Sequence, residues 1–307
     1  MFNQSITVTF SAHQGTYREN IGDVLSASSI PILRKSKNYQ IRCLPSDYLV
    51  RSDSFTVYGG GGMIRPNFAK REIWADVLCQ KHKYDIQGVG INKDLDAPEY
   101  TKDDIDAIRE WFMLSENCSV RDFRSQEMIH SICGITPKFE PCPSFQILRS
   151  LDDQPNSGTK KIGIVLSSGH TKTYKNRLDS IEKIVLFIIS YIGKEKTAII
   201  CHDYKDYLWS SERFPCAIDK PSNLSEVKFS YSKCERIVSM RGHGVIFAAA
   251  CNIPATAIPF CDKIEALFEA HYGASLPQIR IEEPLRTIKK FLNCFFTPKK
   301  LEWSIAT

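Results

Sequence analysis

The sequence has no C-x-x-C pair, no apolar run long enough to cross a bilayer, no block of five or six like charges and no repeat of short period. Each absence removes a class of protein. Without paired cysteines, zinc-knuckle and thioredoxin-like chemistry have no support. The most apolar run, Ile184–Ile192, is about half of the roughly 20 residues that a membrane-spanning helix requires, and it reads as one buried helix face. Basic residues are only slightly in excess: 40 Lys and Arg against 35 Asp and Glu leave a formal net charge of +5. Nucleic-acid binders carry a stronger and more clustered bias, so a nucleic-acid partner is not expected. The histidines show no metal-ligand spacing such as H-x-x-x-H, so neither a catalytic metal nor another cofactor is expected.

What is present points to a folded, mixed chain. Of 307 residues, 43% are hydrophobic and 24% charged, an ordinary globular balance. At roughly 150 residues per domain, the length suggests two domains. Eleven cysteines, an odd number, are scattered along the chain. The N-terminal stretch MFNQSITVTFSAHQG has neither a basic region nor a long apolar one. Scattered thiols without a leader fit a reducing, cytoplasmic setting.

Strand-type and helix-type runs alternate through both halves. Strands are expected at Ser5–Phe10, Tyr39–Leu44, Phe55–Tyr58, Tyr84–Val89 and Cys118–Val120, with helices at Asp23–Ile30, near Asn67–Gln80, at Thr101–Leu114 and at Ser125–Cys133. The second half offers strands at Lys161–Leu166, Thr197–Cys201, Glu235–Ser239 and Pro254–Ile258, with helices at Tyr174–Ile192, His243–Cys251 and Asp262–His271. This alternation implies an α/β class with parallel sheets flanked by helices. The polar stretch SLDDQPNSGTK separates the halves. The expected organisation is a first Rossmann-like domain at 1–150, a linker at 151–160, a second Rossmann-like domain at 161–283 and a closing helix and tail at 284–307. Two such doubly wound domains would face each other across a cleft, with ligands at the carboxyl ends of the strands.

Six segments that follow predicted strands carry residues suited to chemistry. Gly59, Gly60, Gly61 and Gly62 interrupt regular structure after Tyr58. They read equally as an anion-binding nest and as a tight strand-to-helix turn. Arg121, in Val120-Arg-Asp-Phe-Arg-Ser125, sits at a strand-to-helix junction, where helix dipole and guanidinium together attract an anion; a surface pair with Asp122 is the plainer alternative. Arg241 and His243, in Met240-Arg-Gly-His-Gly244, stand two residues apart at the end of a strand. There an imidazole can exchange protons beside an anion-holding guanidinium. Asp262 and Lys263 follow the next strand, and Asp262 reads most simply as a helix cap. Asn20 and Asp23 lie between the first strand and helix, where Asp23 can take a hydroxyl proton or cap the helix. His170 follows the first strand of the second half, as a cleft residue or an ordinary loop residue.

Taken in order, Asn20-Ile-Gly22-Asp23, Gly59–Gly62, Val120-Arg121-Asp122-Phe-Arg-Ser125, Arg241-Gly-His243 and Cys261-Asp262-Lys263 resemble the polysaccharide pyruvyl transferase family, over about residues 18 to 273. The resemblance implies a two-domain, glycosyltransferase-B-type fold. It implies transfer of pyruvate from phosphoenolpyruvate to a sugar of a cell-surface glycan precursor as a ketal, with phosphoenolpyruvate as the donor substrate. It makes Arg121 and Arg241 an anion clamp and His243 the general acid. Asp23 is a candidate base, and Asn20, Gly59–Gly62 and Lys263 are candidate binding residues. The chain departs from the family pattern in having Gly242 where Leu is common, Cys142-Pro143 where Asp-Pro is frequent, and Asp262 directly beside Lys263. Two other functions stand beside this one. A nucleotide-sugar-dependent glycosyltransferase of the same fold would need a ribose-binding carboxylate, for which Glu235 or Glu265 is available. A non-catalytic glycan-binding module would use the same residues without turnover. Pro284–Trp303 mixes Arg286, Lys289, Lys290, Lys299 and Lys300 with Phe291, Leu292, Phe295, Phe296 and Trp303. It suits either a closing helix or peripheral contact with the inner face of a membrane carrying lipid-linked acceptors.

Overall fold

A computed structural model describes residues 5–11, 20–44, 55–79, 83–92, 98–152, 158, 160–168, 175–258 and 262–273. His170, Cys261, most of the polar linker and all of 284–307 lie outside the described residues. The chain divides into two compact units, Met1–Leu151 with Cys261–Ala266, and Asp152–Phe260 with Leu267–Thr307.

The first unit runs β1 (Ile6–Ser11), α1 (Ile21–Leu33), β2 (Tyr39–Leu44), β3 (Phe55–Ile64), a 3₁₀ turn at Phe68–Lys70, α2 (Glu72–Leu78), β4 (Tyr84–Ile91), α3 (Lys102–Met113), β5 (Ser115–Val120), α4 (Phe123–Cys133), β6 (Lys138–Phe139) and α5 (Pro143–Ser150). Its sheet has the order β2-β1-β3-β4-β5-β6, and each pairing is parallel. Order reverses between β1 and β3, which makes that edge the switch point where ligands of doubly wound sheets bind. The core under β3 and β4 is aromatic. Trp111 and Phe112 of α3 pack beside Phe68, and Tyr58 meets both Tyr84 and Trp111 edge to face. The buried positions Asp104, Ala107, Ile108, Trp111 and Phe112 recur at three- and four-residue steps, so one face of α3 is inward. Thr101 caps that helix in a reciprocal box with Asp104.

The second unit runs β7 (Lys161–Val165), α6 (Lys175–Ile192), β8 (Thr197–Ile200), α7 (Tyr204–Ser211), β9 (Ala217–Asp219), α8 (Leu224–Ser232), β10 (Cys234–Ser239), α9 (Gly242–Ala250) and β11 (Ala255–Ala257), with a 3₁₀ turn at Lys194–Lys196; the residues of α10 (Asp262–Tyr272) are divided between the two units after Ala266. Its all-parallel sheet has the order β11-β10-β7-β8-β9, with the switch point between β7 and β10. Ile162, Ile164, Ile199, Ile237 and Val238 are buried, as strands covered on both faces require.

One expectation is overturned. Gly59–Gly62 do not break regular structure; they lie inside the ten-residue strand β3. Helix α1 comes so close that a Cβ on Gly60 would stand 2.6 Å from the Ala27 amide nitrogen, and one on Gly59 would stand 2.5 Å from Ile30 Cδ1. Gly60 also has φ +79°, which a side chain resists. The glycines serve helix-on-strand approach, not an open nest. The helix expected near Asn67–Gln80 is split into the 3₁₀ turn and α2, joined at an extended Arg71.

Candidate functional site

In the first unit, the ends of β3, β4 and β5 converge on Arg121. This residue follows β5, and its backbone N–H donates to Val89 O of β4 at 3.0 Å. Its side chain passes two glycines. A Cβ on Gly90 would lie 2.6 Å from Arg121 Nε, and one on Gly62 would lie 3.3 Å from Nη2 and 2.6 Å from Asn92 Cβ. The side chain is 0% exposed, yet Nε, Nη1 and Nη2 all lack a hydrogen-bond partner. Its nearest carboxylate oxygen, Asp122 Oδ2, stands 3.9 Å from Nε and is itself unpartnered. Burying a guanidinium costs several kcal/mol even after relaxation, and paired, hydrogen-bonded cations are the rule inside proteins. Three unused donors on a fully buried cation are therefore the arrangement expected of a group that receives an anion. The surface pair weighed for Arg121 and Asp122 is not found, because both side chains are buried.

Asp122 is fixed on its other side. It caps α4, with Oδ1 accepting the Ser125 amide at 2.8 Å and the Ser125 hydroxyl at 2.7 Å. Burial raises its carboxyl pKa, against the lowering effects of Arg121 and Ser125. Arg65, just past β3 and nearly buried, donates from Nε to Gly62 O at 2.8 Å. At the start of α1, Asn20 is the helix cap, accepting from Gly22 N–H at 3.2 Å, and its Nδ2 donates to Asp23 Oδ2 at 3.1 Å. Asp23 is buried, and a Cβ on Gly61 would fall 2.8 Å from its Oδ1. Asp23 therefore lies against the β3 backbone inside the first turn of α1, while Asn20 does the capping.

In the second unit, Arg241 is the N-cap residue of α9, and His243 is in its first turn, buried with its ring 5.8 Å from that of Phe247. Arg241 is engaged differently from Arg121. Its Nε donates to Leu166 O at 2.7 Å, and its Nη2 is ion-paired with Asp203 Oδ2 and, at 2.5 Å, with Asp206 Oδ2. Burial opposes its charge, but the carboxylates of Asp206 and Asp203 outweigh that and hold it cationic. His202, just past β8, is buried beside them. One ring nitrogen, Nε2, lies 3.0 Å from the Tyr231 hydroxyl, and Nδ1 has no partner. Burial, with Arg241 nearby, keeps the His202 pKa well below its usual value, so the ring is neutral. Lys263 is the second residue of α10 and half-buried.

Sequence reasoning did not single out Arg65, Asn92, His202, Asp203 or Asp206. Their common signal is position: Arg65, Asn92, His202 and Asp203 follow a strand at its carboxyl end, and Asp206 is in the first turn of the helix after one. Among the described residues, no group of three or more His, Cys, Asp or Glu could hold a metal ion, and no helix is long and apolar enough to cross a membrane.

Two parallel, doubly wound sheets in one chain define the glycosyltransferase-B-type class, and known structures share it. The chain is similar to Staphylococcus aureus MnaA solved with UDP, at 10% identity and TM-score 0.61, covering 96% of this chain and 88% of that one. It is similar to the UDP-GlcNAc 2-epimerase of Neisseria meningitidis bound to UDP-GlcNAc, at 10% identity and TM-score 0.57, covering 94% and 91%. The corresponding Methanocaldococcus jannaschii epimerase, in complex with UDP-GlcNAc and UDP, gives 13% identity and TM-score 0.55, covering 97% and 94%. No curated protein matches the sequence. The family model described as polysaccharide pyruvyl transferase matches residues 20–261. The chain belongs to the polysaccharide pyruvyl transferase family.

Proposed function

We infer that this transferase moves pyruvate from phosphoenolpyruvate to a sugar of a polysaccharide or glycan precursor and forms a cyclic ketal. The observation that carries the reading is Arg121, a fully buried guanidinium with three unused donors. A carboxylate or phosphate of the donor would match its planar fork. Arg241, held cationic at the start of α9, is the second arginine of this reading, and His243, two residues on, is its acid. Proton transfer to the donor's methylene carbon leaves an oxocarbenium-like centre at C2. One sugar hydroxyl adds there, inorganic phosphate departs, and a second hydroxyl closes the ring. Asp23 is the candidate acceptor of a hydroxyl proton. Fixed positive charge at the departing phosphate favours the transition state over the ground state.

The test is phosphate release from phosphoenolpyruvate with a panel of glycan acceptors, comparing wild type with Arg121→Ala and His243→Ala. Acceptor-dependent release that falls by about 100-fold or more in both folded variants supports the reading. Calorimetric binding of UDP-GlcNAc without any binding of phosphoenolpyruvate would replace it with nucleotide-sugar chemistry.

A further inference from the structure

The loop between β8 and α7 does more than cap a helix. Asp203 is the N-cap of α7, and its Oδ1 accepts the Asp206 amide at 2.7 Å. Asp206 Oδ1 accepts both the amide, at 2.7 Å, and the hydroxyl, at 2.8 Å, of Ser168 in the loop after β7. Each carboxylate thus spends one oxygen on local scaffolding. The other oxygen of each meets Arg241 Nη2. Leu166 O, also after β7, takes Nε. The guanidinium is gripped along two edges, by the loop after β7 and by the start of α7. Nη1 makes no hydrogen bond among the described residues, and it is not one of the buried unpartnered atoms. The Arg241 side chain keeps 13% of its surface exposed.

We propose that Asp203 and Asp206 are positioning residues that lock Arg241 so that its Nη1 edge alone is presented to the anionic donor. The proposal rests on the reading of Arg241 as a donor-contacting group. It gives the two carboxylates a reason to sit buried beside one cation, where a single carboxylate would suffice for neutralisation. A hydrogen bond to Asp203 and an ion pair with Asp206 on Nη2, with a hydrogen bond on Nε, restrict the rotation that a lone ion pair allows. Misplacing a positioning group by about 1 Å can cost on the order of 100-fold in rate.

Asparagine at either position separates the lock from the scaffold. Asn is as good a helix cap as Asp, so Asp203→Asn keeps the start of α7. In Asp206→Asn the amide oxygen still accepts from Ser168. Both changes keep the scaffold acceptor and replace the oxygen facing Nη2 with an amide NH2, so that its charge and its contact with Arg241 are lost. The full chain would be compared as wild type, D203N, D206N and S168A. The first readout is ¹⁵N magnetic resonance of the arginine side chains, with the Arg241 signals assigned by their loss in R241K. The second is phosphate release from phosphoenolpyruvate. Expected are slow Nη rotation in wild type and S168A, fast rotation in D203N and D206N, and a roughly 100-fold lower kcat in the two Asn variants. S168A should retain wild-type turnover. Wild-type rotation and turnover in both Asn variants would overturn the proposal. So would an equal loss of turnover in S168A, because the loop scaffold would then be the cause. Should one Asn variant fail to fold, the other decides. If wild type neither binds phosphoenolpyruvate nor releases phosphate, the transferase reading fails. The rotation measurement then still decides the lock.

Discussion

At the residue scale, the two arginines show two ways to keep a guanidinium inside a protein. Arg241 is neutralised by carboxylates; Arg121 is left with its donors unused. A cation buried without hydrogen bonds costs stability, and removing it should stabilise the fold. Arg121→Met is expected to raise stability by about 1–3 kcal/mol, because a similar apolar volume replaces a buried charge without hydrogen bonds. The same change should abolish any stabilisation that phosphoenolpyruvate, as the proposed donor, gives wild type. Urea unfolding with and without the donor checks both; a destabilised variant would show that Arg121 is paired in solution. The thiols follow similar logic. Burial, with Asp206 nearby, pushes Cys201 up to about 12, and burial, with Asp219 nearby, does the same to Cys234. Thiolate is the reactive form. Exposed Cys79 should therefore react promptly with a disulfide reagent at neutral pH, and Cys201 and Cys234 only on unfolding. Mass-spectrometric labelling in native buffer and in denaturant would separate them.

At the scale of the element, β3 and α1 are matched by subtraction of side chains. Gly60→Ala puts a Cβ 2.6 Å from a backbone nitrogen of α1 at a φ of +79°. Backbone cannot yield as a flexible side chain can, so a loss of about 2 kcal/mol or more is expected, read by chemical denaturation. Asp104 joins α3 to the turn before α2. Burial pulls its carboxyl upward, but the backbone amides of Ala69, Thr101 and Asn67 outweigh this, and its pKa lies below the ordinary value. A depressed carboxyl contributes stability above its unfolded pKa and loses that contribution as pH falls through the folded one. Asp104→Asn should therefore lower stability by about 1–2 kcal/mol at pH 7. The gap from wild type should close in acid, as pH falls from near 4 through the folded pKa. A variant parallel to wild type across that range would place the amide contacts elsewhere.

At the scale of the whole molecule, the alternation of strands and helices was legible because each sheet is covered on both faces, and its strands therefore read as apolar runs. Lys161–Val165 and Cys234–Ser239 were placed within a residue or two. The capping box at Thr101 was equally plain. The glycine run was misread because a strand of Gly has no side-chain pattern at all; only the helix packed on it explains it. Helices α5, α7 and α8 escaped because they are short, at eight or nine residues, too few turns for a clear periodic stripe. Arg121 and Arg241 were visible as residues, but their opposite states were not, because these depend on carboxylates from other strands. That contrast has a consequence for salt. The chain's net charge is only +5, so long-range steering of an anionic donor is weak. At 0.1 M salt, exposed charges more than about 10 Å apart are largely screened, and buried ones far less. A donor held by Arg121, at 0% exposure, should lose little affinity to salt. Raising sodium chloride from 50 to 200 mM is expected to change the Kd for phosphoenolpyruvate by less than about threefold. A surface cluster of lysines would lose far more over that range, as phosphate-contacting surfaces do. Calorimetric titration at both salt concentrations distinguishes the two, and a steep dependence would move the anion site away from Arg121.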